Sequence, residues 1–276
     1  MKNRRSIYLA SATFLAFANS LNAASIVDSF SYAVDASGNV DSSTTDTYKA
    51  PSPYDITTTF GIAAGQKLVA VLEYANSANT TGTVTGLTFG GQTLGFTTPY
   101  SGSLGASVVI AYWDATSGIT DGTFSVTYNN AKGIDQFALT LYSLSGLAAG
   151  GPRDSAFTAG GTPTGVDAAS GDFAVSALES YNGSTGYTID SNLTTAAIGS
   201  TGVLRYYSGY AFANSSILVT DGTSSTGSSL NIVNARGTAG PIRVQSIVSF
   251  AAVPEPSAAL LGGIGMMLLM RRRRHS

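Results

Sequence analysis

The sequence between residues 25 and 252 consists of short segments in which apolar and polar side chains alternate, with glycine-rich turns between them. Thr123–Tyr128 alternates strictly, which puts its three large apolar residues on one face of a strand. Residues 136–144 and Ile242–Phe250 have the same period of two. No long window has the period of 3.6 residues that is typical of an amphipathic helix. This pattern restricts the body of the chain to an all-β fold.

Two further segments, residues 68–74 and 106–113, are apolar almost throughout. Such runs are expected of strands whose two faces are both covered. Gly90-Gly91 separates two shorter strand segments, residues 84–89 and 92–96. Because glycine accepts a positive φ, this pair predicts a hairpin with a two-residue turn.

Other turn signals are Asp121-Gly122, Asp221-Gly222 and two Gly/Pro clusters at 150–152 and 160–163, which predict a long surface loop between them. Both flanks of that loop have the same strand pattern, so one domain over residues 25–252 is favoured over two. Many short strands with polar turns predict an antiparallel β-sandwich that is jelly-roll-like. A β-helix or solenoid is the competing fold, but it requires a regular repeat that the sequence lacks.

The first 24 residues have the three-part pattern of a secretory signal peptide. They open on three basic residues, Lys2, Arg4 and Arg5. A short apolar stretch follows over residues 7–18, and small residues offer a cleavage site near Ala23 or Ala24. The apolar stretch is shorter than the roughly 20 residues needed to span a bilayer. We therefore predict export, with a cleaved helical signal over residues 1–24.

The last 24 residues, 253–276, also have three parts. Pro254-Glu255-Pro256 comes first, then residues 257–270 without any charge, then four consecutive arginines, Arg271, Arg272, Arg273 and Arg274. Two prolines stop the preceding strand and keep the segment extended. The apolar run can enter a membrane as a short helix, while the arginines stay on the cytoplasmic side. As a helix it would be about 21 Å long, against a hydrocarbon core of about 30 Å, which favours transient insertion over durable anchoring.

This tail resembles the PEP-CTERM sorting signal of Gram-negative bacteria, which Pro254-Glu255-Pro256, the apolar run and the arginine cluster match in order. The resemblance implies processing by an exosortase, an integral-membrane cysteine enzyme of organisms that make exopolysaccharide. It covers only residues 253–276, and it concerns sorting, since very different bodies carry such a tail. The alternative interpretation of this tail is an ordinary C-terminal membrane anchor.

The charges of the body exclude one class of partner. Charged residues are 11% of the chain, against roughly 25% in typical soluble domains. With Glu255 assigned to the tail, the body has seven basic and 15 acidic residues, a formal charge of about −8. Nucleic-acid binding requires Lys and Arg to neutralise phosphates, so we exclude nucleic acid as a partner.

The body also lacks the residues of most catalytic and metal sites. The chain has no cysteine, and its only histidine, His275, lies in the tail. Ser-His-Asp and Cys-His sites are therefore excluded, and zinc and copper sites are disfavoured. Glycosidases need only two carboxylates. Glu73 and Glu179 are the only glutamates of the body, beside 13 aspartates, and nothing in their spacing marks a pair.

One segment offers ligands for calcium. Asp35, Asn39 and Asp41 supply the oxygen atoms that calcium prefers, in a turn-rich stretch. The stretch lacks the spacing and the final Glu of an EF-hand, and an ordinary Asp/Asn/Gly turn has the same composition. No other cofactor is predicted.

Aromatic residues offer a possible sugar site. Tyr206, Tyr207 and Tyr210 cluster around Gly209. Exposed aromatic rings stack on sugars, whereas packing in the core is the alternative fate of such residues. Inside the strand at 106–113, core packing is the expected role of Tyr112 and Trp113.

Two functions from different classes follow. The first is a non-catalytic protein of the cell surface or biofilm matrix, exported from a Gram-negative cell and associated with exopolysaccharide. Its partner in the precursor stage is an exosortase-type enzyme at the inner membrane. The alternative is a carbohydrate-active enzyme, a glycosidase or lyase, that uses paired carboxylates. An aromatic groove would favour the first, and two carboxylates about 5–10 Å apart in a cleft would favour the second.

Overall fold

The computed structural model describes twelve stretches of the chain: 24–34, 52–75, 83–97, 100–101, 107–129, 136–158, 165–181, 193–198, 203–210, 215–223, 232–236 and 242–253. Within these stretches the regular secondary structure is β-strand without any helix, and every strand pair is antiparallel. The predicted all-β antiparallel class is confirmed for this part of the chain. The predicted helices of the signal peptide and of the tail lie outside it.

Seventeen strands follow one another along the described stretches. They are β1 (Ser25–Val34), β2 (Tyr54–Thr57), β3 (Lys67–Ala75), β4 (Val84–Phe89), β5 (Gln92–Thr93), β6 (Gly95–Phe96), β7 (Tyr100–Ser101), β8 (Ser107–Asp114), β9 (Thr123–Tyr128), β10 (Gln136–Ser145), β11 (Asp154–Thr158), β12 (Phe173–Tyr181), β13 (Leu193–Ile198), β14 (Val203–Tyr210), β15 (Ser215–Thr223), β16 (Ile232–Arg236) and β17 (Ile242–Phe250).

The strands form four sheets. The central sheet has the order β1-β10-β3-β8-β6, and β7 also pairs with β8. The first outer sheet has the order β2-β9-β4-β5, and the second outer sheet has the order β11-β17-β12-β15-β14. The small sheet, β13-β16, lies against β14 and β15. The first half of the chain thus builds two sheets, and the second half builds the others.

The central sheet is covered on both faces. Its even-numbered β3 residues, from Leu68 to Tyr74, pack with Leu87, Phe89 and Phe124 of the first outer sheet. Its odd-numbered residues Val69 and Val71 pack with side chains of the second outer sheet, Phe173, Val175, Val244, Val248 and Phe250. Two hydrophobic cores therefore lie on either side of one sheet. This explains why residues 68–74 and 106–113 are apolar almost throughout, since residues 67–74 of β3 and 107–111 of β8 are all buried.

The predicted hairpin is confirmed. Phe89 pairs with Gln92, and the two residues between them, Gly90 and Gly91, have φ of 54° and 80°. Two positive φ values define the turn that joins strands without splaying them, and only glycine adopts both at no steric cost.

Two turn expectations fail. Asp221-Gly222 lies inside β15, where Asp221 pairs with Val175 on one side and with Val203 on the other. Ladder hydrogen bonds from two neighbouring strands outweigh the local preference of Asp-Gly for a turn. The loop expected between residues 150 and 163 contains β11, which pairs with β17 at the sheet edge. Edge strands are short and polar, so β11 resembles a loop in sequence.

Gly122 is required by the ring beside it, because a Cβ built there would lie 2.3 Å from Cζ of Phe89. We expect Gly122→Ala to destabilise the protein by about 2–3 kcal/mol, since a core at native density does not absorb an added methyl group. Gly118→Ala is the matched control, because its nearest atom would be Ile62 O at an ordinary 3.5 Å. Urea denaturation should show the loss for Gly122→Ala and a change within about 1 kcal/mol for Gly118→Ala. Equal stability of the two variants would contradict the packing.

Candidate functional site

The last described residues, 251–253, pair with residues 146–148, which follow β10 and lead to β11. Beyond β17, Ala252 forms an antiparallel bridge with Leu147. The Ala148 N–H donates to Ala251 O at 2.8 Å, and the Val253 N–H donates to Gly146 O at 2.9 Å. The hydrogen-bonded body therefore extends to the residue directly before Pro254.

A buried carboxylate holds this pairing in place. Asp172 Oδ1 accepts the Ala252 N–H at 2.8 Å, and Asp172 Oδ2 accepts the Ala169 N–H at 2.7 Å. Arg153 Nε lies 2.6 Å from the same Oδ2. The Asp172 side chain is 1% exposed, whereas that of Arg153 is 39% exposed. A buried charge is stable only when it is paired and hydrogen-bonded, and here both carboxylate oxygens are occupied.

The turn that carries Asp172 also binds the other end of the body. The Asp172 N–H donates to Ala169 O at 3.1 Å, and Gly171 has a φ of 90°. A β-turn with positive φ at its third residue is of type II, which favours glycine there. Gly171 O accepts the Ala24 N–H at 3.0 Å, and the Ala24 side chain packs into the second core. Two consecutive residues, Gly171 and Asp172, thus hold the two ends of the described body.

We name this region the terminal corner. It consists of residues 24–27, 146–148, 153, 169–172 and 251–253. A second ion pair holds the linker, which we define as the segment between β10 and β11, beside the terminal corner. The Lys67 ammonium, which is almost fully buried, pairs with Asp114 and donates to Gly150 O at 2.7 Å, while the Gly150 N–H donates to Asp114 Oδ2 at 2.6 Å. Lys67 Nζ also lies 6.0 Å from the centre of the Phe250 ring, within the range of a cation–π contact.

The opposite pole of the central sheet is the end at Val34, Ala75 and Ser107. Burial there raises the pKa of the Tyr74 hydroxyl above its usual value, and the nearby Ser107 side chain and Val84 backbone lower it by less. Thr83, the residue before Val84, is exposed at this pole. Because β10 has ten residues, the two poles lie about 30 Å apart.

Most of the predicted site residues lie outside the described residues. These are Pro254, Glu255, Pro256, Arg271, Arg272, Arg273 and Arg274 of the tail, and Asp35, Asn39 and Asp41 of the calcium hypothesis. The tyrosine cluster is described only in its backbone. Tyr206, Tyr207 and Tyr210 lie in β14, which is the edge strand of the second outer sheet and has a register shift between Leu204 and Tyr206.

The two glutamates considered for glycosidase chemistry lie in different sheets. Glu73 lies in β3 with its side chain fully buried. Glu179 pairs with Val244 in the second outer sheet, and its side chain lies outside the described residues. A general acid must reach the leaving oxygen of a sugar, and a carboxyl enclosed in the core cannot.

Two further features are absent from the described stretches. No group of three or more His, Cys, Asp or Glu side chains in them has the arrangement to hold a metal ion. None of their residues belongs to a helix that is both apolar enough and long enough to cross a bilayer.

Asp172 and Arg153 did not stand out in the sequence. Asp172 is one of 13 aspartates of the chain. Of the two main-chain N–H groups that its carboxylate accepts, Ala169 is three residues away and Ala252 is 80 residues away. The only local signal is the order Gly171-Asp172, which marks a turn but not what the turn binds. Both oxygens of the enclosed Asp172 carboxylate are already hydrogen-bonded. Its role is therefore to position the end of the body.

Comparison with known proteins does not add a relative. No family model, no curated protein and no solved structure matches this chain.

Proposed function

We propose that this chain is an exported, non-catalytic bacterial protein whose residues 253–276 form a PEP-CTERM-type sorting signal. The observation that carries the proposal is the order of its parts: a Pro-Glu-Pro motif, an uncharged apolar run of 14 residues and four arginines. Each part alone is weak, but the physical roles fit one another. The prolines keep the motif extended, the apolar run enters the inner membrane, and the arginines prevent passage through it.

The end of the described body supports this proposal. Its hydrogen bonding continues through Val253 and is anchored by Asp172. A processing enzyme that recognises Pro254-Glu255-Pro256 would therefore act on a segment that directly follows a folded boundary. In this proposal an exosortase-type enzyme removes the tail after the body has crossed the inner membrane of a Gram-negative cell.

The test is the mass of the intact protein recovered from the surface of its native host. We expect a species that lacks both the signal peptide and the arginine cluster. A mature protein that still ends in residues 271–276 would mean that the tail is an ordinary anchor.

We also infer that residues 25–145 have the strand connectivity of a jelly roll. The support is the strand order, with β1-β10-β3-β8 in one sheet and β2-β9-β4-β5 in the facing sheet. Strands β1 to β4 and β8 to β10 alternate between these two sheets along the chain, as they do in a jelly roll. This fold occurs in many sugar-binding proteins, but fold alone does not assign a ligand.

For the mature body we propose association with exopolysaccharide in the cell-surface matrix. The tyrosines of edge strand β14 are the candidate contacts, since an aromatic ring offers apolar area together with a polar tip. We expect a glycan array to show binding that Tyr206→Ala reduces at least fivefold, while Tyr54→Ala, in β2 of the first outer sheet, leaves it unchanged. Binding that survives in Tyr206→Ala, Tyr207→Ala and Tyr210→Ala alike would contradict this site.

A further inference from the structure

The described body ends very close to the apolar run of the tail. Val253 is hydrogen-bonded to Gly146, and the run begins at Ser257. A chain spans at most about 3.6 Å per residue, so four residue steps reach about 14 Å. Wherever the run enters a membrane, the terminal corner must lie within about 14 Å of that point.

The other end of the body leaves from the same place. Ala24 binds Gly171, and Ala252 binds Asp172, the next residue. The apolar stretch of the signal peptide ends at residue 18, six residues before Ala24. Both membrane-directed segments can therefore reach one bilayer surface from one corner. Had the ends left from opposite poles, they would be separated by about 30 Å.

The surface of the corner has the side chains that suit a bilayer. Val27 and Val253, exposed by 55% and 40%, are the large hydrophobic residues that the described part of the chain leaves exposed, and both belong to the terminal corner. Val27 is the extra residue where the β1 register shifts between Ile26 and Asp28. Apolar side chains of this kind insert at the boundary between lipid headgroups and acyl chains.

Two of the acids at or beside the corner are neutralised, because Arg153 pairs with Asp172 and Lys67 pairs with Asp114. Asp28 and Asp154, next to Val27 and Arg153, accept main-chain N–H groups and stay negative. Pairing therefore reduces the repulsion from anionic lipids at this corner without removing it, and the proposal rests on the chain ends and the exposed valines.

We propose that the terminal corner is the surface on which the membrane-tethered precursor rests against the phospholipid bilayer, with Val27, Arg153 and Val253 facing the headgroups. The proposal rests on the proposed function, because it requires the apolar tail to be in the membrane. The central sheet then stands away from the membrane, with its opposite pole about 30 Å farther out.

The test uses the full chain reconstituted in vesicles of phosphatidylethanolamine and phosphatidylglycerol. Since the chain has no cysteine, a single introduced thiol carries a single fluorophore. Ser170→Cys and Val27→Cys report on the terminal corner, and Thr83→Cys reports on the opposite pole. Nitroxide groups on the lipid headgroups quench fluorophores that lie close to them. Thermal melting should first show that all three variants are folded.

We expect quenching at positions 170 and 27 to be at least twofold stronger than at position 83. Equal quenching at the two poles, or stronger quenching at position 83, in vesicle-bound protein would overturn the proposed orientation. A separate arm tests the tail. Because residues 7–18 could also hold the chain on vesicles, this arm is carried out in the background Leu9→Asp/Leu15→Asp. In that background the chain should still sediment with vesicles, and adding Leu261→Asp/Leu268→Asp should abolish sedimentation. If the chain with both pairs of substitutions still sediments, the tail is not the membrane segment and the proposed function fails, whatever the quenching pattern.

Discussion

Changing Glu255 to Ala is expected to leave export intact and to abolish removal of the tail. In the proposed function, export depends on the predicted signal at residues 1–24, which the substitution does not touch. Pro254-Glu255-Pro256 is the proposed recognition element, and Glu255 is its only charged group. A charge-assisted hydrogen bond from the enzyme to that carboxylate would be lost and its donor left unpaired, which costs far more than an ordinary surface contact.

The measurement is the intact mass of the protein from surface and membrane fractions of the native host. For Glu255→Ala we expect the uncleaved tail in nearly all molecules, and retention in the inner membrane. Asp55→Ala is the matched control, because Asp55 is an exposed acid on β2 of the body, and it should be processed normally. Normal processing of Glu255→Ala would show that this carboxylate is not recognised.

Changing Asp114 to Ala is expected to cost about 3 kcal/mol of the free energy of unfolding. Lys67 is 2% exposed and pairs with Asp114. Removing one partner of a buried ion pair leaves an uncompensated charge, and the usual cost is about 3–5 kcal/mol. The lower end applies because the Asp114 side chain is 40% exposed and water reaches it. Gly150 would also lose the acceptor of its N–H, which loosens the linker beside the terminal corner.

Urea denaturation of Asp114→Ala, with Asp55→Ala as the exposed-acid control, checks this value. The double variant Lys67→Met/Asp114→Ala should regain at least 1 kcal/mol over Asp114→Ala, because the stranded charge is gone. A loss below about 1 kcal/mol in Asp114→Ala, or no recovery in the double variant, would mean that Lys67 does not depend on its partner.

The parts of the fold that could be predicted are those whose cause is local. The strict alternation of Thr123–Tyr128 gave β9 with the expected bounds, and Phe124, Val126 and Tyr128 lie together in the first core. Glycine at positions 90 and 91 determined the hairpin turn for a similar reason, since the backbone conformation depends on those two residues alone.

The arrangement of the sheets could be predicted only in part. The apolar runs at 68–74 and 106–113 indicate that both faces of those strands are covered, but they do not indicate which strands cover them. The second covering layer comes from β12 and β17, which begin 59 or more residues after the end of β8. Alternation within a strand contains no information on which of several possible sheets packs against it.

The terminal corner could not be predicted at all. Its contacts join Ala24 with Gly171 and Val253 with Gly146 through main-chain N–H and C=O groups. Every residue except proline has both groups, so no residue type marks the positions that use them. The Asp172 side chain holds one of these ends through the Ala252 N–H, and its neighbours in sequence resemble those of any turn.

Because Gly171 and Asp172 are adjacent, the two ends of the described body lie close together, so that the backbone is almost circular. Consecutive Cα atoms are about 3.8 Å apart, and one of these two residues binds the entry of the chain while the next binds its exit. A linker of a few residues between positions 253 and 24 would close the ring without disturbing a sheet. New ends could then be opened at the exposed Gly90-Gly91 turn, since folds with adjacent termini tolerate circular permutation. In such a permuted chain the strands would be synthesised in a different order, while every core contact stayed the same.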